Sequence, residues 1–109
     1  MDVQTKLDEI VDVIARQFSP EKIILFGSRA RGDARPDSDI DLLVLFEEVE
    51  DRRARAVEMY AATAKCGSAT DILVSTTGRF ERFKDIVNTA YWPAAREGKV
   101  LYERSACLD

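Results

Sequence analysis

Apolar residues fall into blocks with two different periods along this chain. Val3, Leu7, Ile10, Val11, Ile14 and Phe18 recur at helical spacing and predict an amphipathic helix over residues 3–18. Ser19-Pro20 closes it, because proline disfavours a helical residue before it. "KIILF" (22–26) then reads as a short buried strand ended by Gly27. "DIDLLVLF" (39–46) reads as a second strand. It is apolar at both parities after Asp41, which predicts a central position covered on both faces.

Residues 50–65, "EDRRARAVEMYAATAK", predict a helix with Ala, Val, Met and Tyr on its core face, stopped by Gly67. "ATDILVST" (69–76) predicts a third strand, followed by a turn at Thr77-Gly78. Phe80, Phe83, Ile86 and Val87 repeat at helical spacing, a further helical piece spans 89–97 up to Gly98, and "KVLYE" (99–103) predicts a last short strand. Alternating helices and strands predict an α/β (α+β) fold, a small mixed β-sheet flanked by helices. The 109 residues suffice for one small domain with one core, and no internal repeat or linker divides them.

Composition removes whole classes of function. With 46% apolar and 33% charged residues the chain is an ordinary globular one. Its net charge of −4 and lack of a polybasic block predict no direct nucleic-acid binding. The longest apolar run, Leu42–Phe46, is far below the ~20 residues that cross a bilayer, and the acid-rich start is no signal peptide. No membrane association and a cytoplasmic location are expected. Cys66 and Cys107 match no metal or redox spacing and are expected to be reduced thiols. The absence of histidine excludes Ser-His-Asp and Cys-His chemistry and imidazole-bound zinc. Catalysis would rest on carboxylates, hydroxyls, Lys/Arg or a bound metal.

The stretch "ILFGSRARGDARPDSDIDLLVLF" (24–46) concentrates such groups. Asp39 and Asp41, two apart on a predicted strand, would share one face about 6.6 Å apart. Paired carboxylates repel unless protons, Arg/Lys or a cation compensate. Asp71 opens the third strand in the same way. If the two strands are neighbours, three carboxylates meet at one sheet edge, a donor set suited to Mg²⁺ or Mn²⁺. Gly27 permits close backbone approach to a ligand, and "SRARG" after it can start a short helix whose free N–H groups favour phosphate. The Ser28 hydroxyl, Arg29 and Arg31 are further candidate phosphate contacts.

A lone Gly-Ser or a lone Asp-x-Asp is weak evidence; the combination in this order is not. Asp37, Asp39, Asp41 and Glu48 do match the EF-hand calcium spacing at positions 1, 3, 5 and 12. Position 6 is Leu42 where glycine is required, and a buried strand follows, so that reading fails. No Gly-Lys-Ser/Thr follows Gly27, so a Walker-type loop fails too.

The arrangement Gly27-Ser28, Asp39-x-Asp41 and Asp71 resembles the DNA polymerase β-like nucleotidyltransferase superfamily. The wording "FGSRARGDARPDSDIDLLV" more closely resembles the minimal nucleotidyltransferases (MNT-domain proteins), often encoded beside a HEPN-domain protein as antitoxin and toxin. The resemblance covers residues 20–102. It implies the polymerase β-like fold, with Asp39, Asp41 and Asp71 as catalytic metal ligands for Mg²⁺ or Mn²⁺. Gly27 and Ser28 would bind the β/γ-phosphates, with Arg29 and Arg31 near phosphate or partner. It further implies ATP as substrate and AMP transfer to a hydroxyl, expected to be a tyrosine, of a cognate HEPN toxin.

Larger superfamily members carry extra domains for base and acceptor, and a chain of this length is expected to borrow an acceptor from a protein partner, as a homodimer or hetero-oligomer. Candidate partner surfaces are the 50–65 helix with Arg52, Arg53 and Arg55, and Tyr91-Trp92-Pro93, each weighed against an ordinary solvated or core role. Two alternatives stand beside this: an antitoxin acting by contact alone, and a transferase modifying a small molecule.

Overall fold

The computed structural model describes residues 3–35, 38–67 and 69–104; Asp37 and Cys107 lie outside them. Helix α1 (Val3–Phe18) and strand β1 (Lys22–Phe26) follow the sequence periodicity. Between them Ser19 takes a positive φ of 48° and Pro20 is buried, which turns the chain sharply into β1. A short helix α2 (Ser28–Arg31) precedes β2 (Ile40–Phe46). Helix α3 (Arg52–Thr63) leads into a 3₁₀ turn at Ala64–Cys66, then β3 (Thr70–Thr76), α4 (Thr77–Phe83), α5 (Tyr91–Glu97) and β4 (Lys99–Glu103).

The four strands form one mixed sheet in the order β3-β2-β1-β4. β1 runs antiparallel to both β2 and β4, whereas β2 and β3 are parallel through the crossover helix α3. Alternation along β2 divides the core. Ile40, Leu42, Val44 and Phe46 pack with Ile10 and Ile14 of α1, Met59 of α3 and Ile72 and Val74 of β3. Leu43 and Leu45 on the opposite face meet Ile24, Phe80 of α4 and Tyr91 and Ala94 of α5. β2 is thus covered on both faces over most of its length, as its unbroken apolar run requires.

Several boundaries differ from expectation, for local reasons. Asp51 caps α3 by accepting from the Ala54 N–H at 3.0 Å, so the helix begins at Arg52. Of its expected core face, Met59 is buried but Val57 is 62% and Tyr60 42% exposed. Thr77-Gly78 is no turn. The Thr76 hydroxyl accepts from the Arg79 N–H at 3.1 Å and makes Thr77 the first residue of α4. That helix ends at Phe83, which leaves Ile86 and Val87 exposed in the following loop. The expected 89–97 helix begins at Tyr91.

Leu43 has no exposed surface and sits where the sheet meets the α4–α5 layer. Leu43→Ala should cost about 2–5 kcal/mol of folding stability, read as a lower urea midpoint at an unchanged slope.

Candidate functional site

The helical layer on one face of the sheet is incomplete. Asp41, Leu43 and Leu45 of β2 alternate onto the face covered by α4 and α5, as do Asp71, Leu73 and Ser75 of β3. The apolar members and Ser75 lie toward the covered end. Asp41 and Asp71 lie at the other end, where Asp71 is exposed and Asp41 half-buried.

The parallel register sets Asp41 directly beside Asp71. Their carboxyls are close enough to share a hydrogen bond. Burial first, then the charge and hydrogen bond of Asp71 and the charge of Asp39, push the Asp41 carboxyl above its ordinary value, with Arg31 opposing weakly. Among the described residues no Lys or Arg forms an ion pair with Asp39, Asp41 or Asp71. β2 begins at Ile40, so Asp39 belongs to the preceding loop and is exposed, one residue short of the expected strand start, and its charge still bears on Asp41. Among the described residues no three His, Cys, Asp or Glu side chains are gathered closely enough to enclose an ion. The arrangement is a tight pair, Asp41 with Asp71, and a third carboxylate standing off at the loop end. An oxygen-only pair with no ion-paired Lys or Arg, open to solvent on one side, fits a hard divalent cation that keeps several waters.

Gly27 follows β1 beside this pair, since Phe26 is the register partner of Asp41. Its φ of 78° lies in the region that favours glycine, and a side chain there would overlap Asp41 Oδ2 and come within 3.2 Å of its Cγ. The glycine therefore lets the start of α2 approach the carboxylates. The Ala30 and Arg31 N–H groups both turn back to the Gly27 carbonyl, at 3.1 Å each, which closes the first turn of α2.

The two arginines of α2 part ways. Arg29 donates from Nε and a terminal nitrogen to the Ser38 carbonyl, at 3.2 and 2.7 Å, and from that terminal nitrogen to the Arg35 carbonyl at 3.3 Å. It thereby ties α2 to the loop that delivers Asp39. Arg31 bridges Asp33 at 3.3 Å and Glu97 of α5 at 3.4 Å. It is near enough to Asp41 to favour that residue's charged form.

Sequence reasoning missed a second set of groups beneath the site. The Ser75 and Tyr91 hydroxyls share a buried 2.8 Å hydrogen bond, and Arg79 Nε reaches the Tyr91 hydroxyl at 3.4 Å. Burial would raise the Tyr91 phenol, yet the Ser75 and Arg79 hydrogen bonds and the charges of Arg79 and Arg52 outweigh it and lower it. The only sequence signal was parity: Ser75 is four residues beyond Asp71 and so shares its face. Tyr91 is buried and Trp92 half-buried beneath Arg96, 5.2 Å above its ring, so Tyr91-Trp92-Pro93 offers little free surface.

The nucleotidyltransferase domain profile matches residues 7–103. The chain belongs to the nucleotidyltransferase domain family. It is similar to the aminoglycoside (3'')(9) adenylyltransferase of Shigella flexneri, 36% identical over 101 residues, which are 88% of this chain but 38% of that protein. The chain thus spans well under half the length of the curated relatives it matches most extensively. A shorter likeness, 47% over 36 residues, covers 33% of this chain and 36% of the protein adenylyltransferase MntA of Thermococcus cleftensis. Among solved structures, a minimal nucleotidyltransferase superposes with a TM-score of 0.59 at 31% identity, covering 91% of this chain and 95% of that one. The MntA–HpeT toxin–antitoxin structure shares the fold with a TM-score of 0.58 at 22% identity, covering 90% and 72%. The nucleotidyltransferase family also puts the strand and helix arrangement in the fold class expected from the residues.

Removing the repulsion within the carboxylate pair should stabilise the metal-free protein. Asp41→Asn is expected to gain from a few tenths to about 1 kcal/mol at pH 7. A raised carboxyl pKa means that its stability contribution is present below the ordinary carboxylate range and lost as pH rises through the raised value. The advantage of the variant should therefore shrink toward zero in acid, where Asp41 is neutral, as read by thermal melts across pH.

Proposed function

We propose that this domain transfers AMP from ATP to a hydroxyl group of a cognate HEPN toxin, a tyrosine by expectation, and that it acts thereby as an antitoxin. The observation that carries the reading is the Asp41–Asp71 pair held beside Gly27, an acidic cleft facing a backbone turn that can approach phosphate. The likeness to a protein adenylyltransferase and to a toxin–antitoxin structure supports the choice of acceptor.

Asp41 and Asp71 would hold Mg²⁺ or Mn²⁺, with Asp39 a further donor from its loop, and the ion when bound would supply positive charge to the triphosphate and the departing pyrophosphate. Gly27 and Ser28 bind the β/γ-phosphates through backbone N–H groups and the Ser28 hydroxyl. Arg31 lends charge at the same end, and Arg29 keeps the Asp39 loop in place. Asp71, on the open side of the pair, takes the proton of the acceptor hydroxyl. The hydroxyl oxygen forms a bond to the α-phosphorus while the bond from that phosphorus to the bridging oxygen breaks, and pyrophosphate leaves.

A second reading is favoured by one observation, the 36% identity to an aminoglycoside adenylyltransferase over 88% of the chain. The same groups would then adenylylate a small hydroxyl-bearing molecule.

The test is incubation with ATP labelled at the α-phosphate, Mg²⁺ and either the HEPN toxin or an aminoglycoside. Covalent label on the toxin is expected, reduced about a hundredfold or more by Asp41→Asn. Label on the aminoglycoside alone would establish the second reading. Toxin silenced by Asp41→Asn as well as by the wild type, with no label anywhere, would make neutralisation a matter of contact.

A further inference from the structure

The sheet has two edges, and they are guarded differently. β4 carries Lys99 and Glu103 at its ends, and its register with β1 is broken by an irregularity between Ile23 and Ile24. Charges and bulges of this kind keep an edge from pairing with other chains. β3, "TDILVST", has no lysine, proline or register shift along its seven residues. Its apolar side chains point to the two faces, with Ile72 and Val74 buried and Leu73 half-buried. What it presents sideways is main chain.

That edge is partly stoppered from within. The Ile72 N–H points away from β2 and donates to the Tyr60 hydroxyl of α3 at 2.8 Å. Backbone groups alternate along a strand, so the N–H and carbonyl of Val74 point outward too, and a groove opens at that point. Its volume is about 550 Å³, and it is lined by Ile72, Leu73 and Val74 on the strand side and by Asp51, Arg52 and Ala56 on the α3 side. Next to it α3 exposes Val57 and Tyr60, the two large apolar side chains that the helix pattern had placed in the core.

We propose that this edge is the docking site for the acceptor, as an extended peptide segment of the partner protein that adds to β3 as a fifth strand. The inference rests on the protein-acceptor reading of the site. The outward N–H and carbonyl of Val74 beside an apolar strip suit an extended polypeptide. The rim carries both signs, Glu50 and Asp51 beside Arg52 and Arg53, which disfavours a nucleic acid. A strand added at this edge lies in the plane of the sheet and alternates its side chains to both faces. Val74 is three residues from Asp71, about 10 Å along the strand, and on the opposite face, so a hydroxyl a few residues beyond the docked stretch and of the other parity meets the face of the Asp41–Asp71 pair.

The test uses the full chain with its HEPN toxin and follows the Val74 amide by hydrogen exchange, together with AMP transfer. The expected result is at least tenfold slower exchange at Val74 when the toxin binds. Ala56→Arg, which fills the groove from the helix surface, should raise the KM for the toxin at least tenfold while leaving affinity for a non-hydrolysable ATP analogue unchanged. Should Ala56→Arg unfold, Val57→Asp on the exposed strip gives the same reading. Transfer with Val74 exchanging as in the free protein, or with these variants as active as wild type, overturns the docking site. Protection at Val74 without transfer supports docking and counts against the transferase reading instead. Neither binding nor transfer overturns both.

Discussion

The rest of the site is arranged around one unfavourable contact, the two carboxylates that the parallel β2–β3 register places side by side. Without a cation the pair is compensated in part by protonation, and Asp41 accordingly holds its proton more tightly than an ordinary carboxyl. A sequence evolving for stability alone would have no reason to keep both. Their repulsion is tolerated because the same strands bury Leu42 to Phe46, Ile72 and Val74 on their way through the core. The sheet is anchored at its covered end, and strain accumulates at its open end.

Each neighbouring element has a role that follows from this placement. Gly27 is a glycine because anything larger would collide with Asp41, and its positive φ turns the chain into α2 beside that carboxylate. Arg29 donates to loop carbonyls, which couples α2 to the loop bearing Asp39. Arg31 ties the same helix to Glu97, and so to the layer covering the other end of the sheet. The turn at Gly27 and the loop bearing Asp39 are thereby mechanically linked through α2.

Most of this was legible in the residues, and where it was not the cause is physical. Strand β2 could be placed at the centre because its apolar residues occupy both parities, and the Gly-Ser and Asp-x-Asp pattern located the cleft at its start. Periodicity extends β2 to Asp39 because alternation cannot tell the last loop residue from the first paired one. Whether β3 ran parallel to β2 was invisible locally, and that direction is what brings Asp71 against Asp41. Side-chain capping decided other boundaries: Thr76 converted an expected turn into the first turn of α4, and Asp51 set the start of α3. Periodicity places Val57 and Tyr60 in the core, yet the helix lies across a sheet edge and leaves that flank uncovered.

The most direct test of the account is Mn²⁺ binding to the purified protein at neutral pH, followed by electron paramagnetic resonance in the presence of a non-hydrolysable ATP analogue. Saturable binding by the wild type, lost in Asp41→Asn while the fold is retained, is the predicted result. Equal binding by both proteins, or none by the wild type, would contradict the claim that the Asp41–Asp71 pair exists to hold a cation.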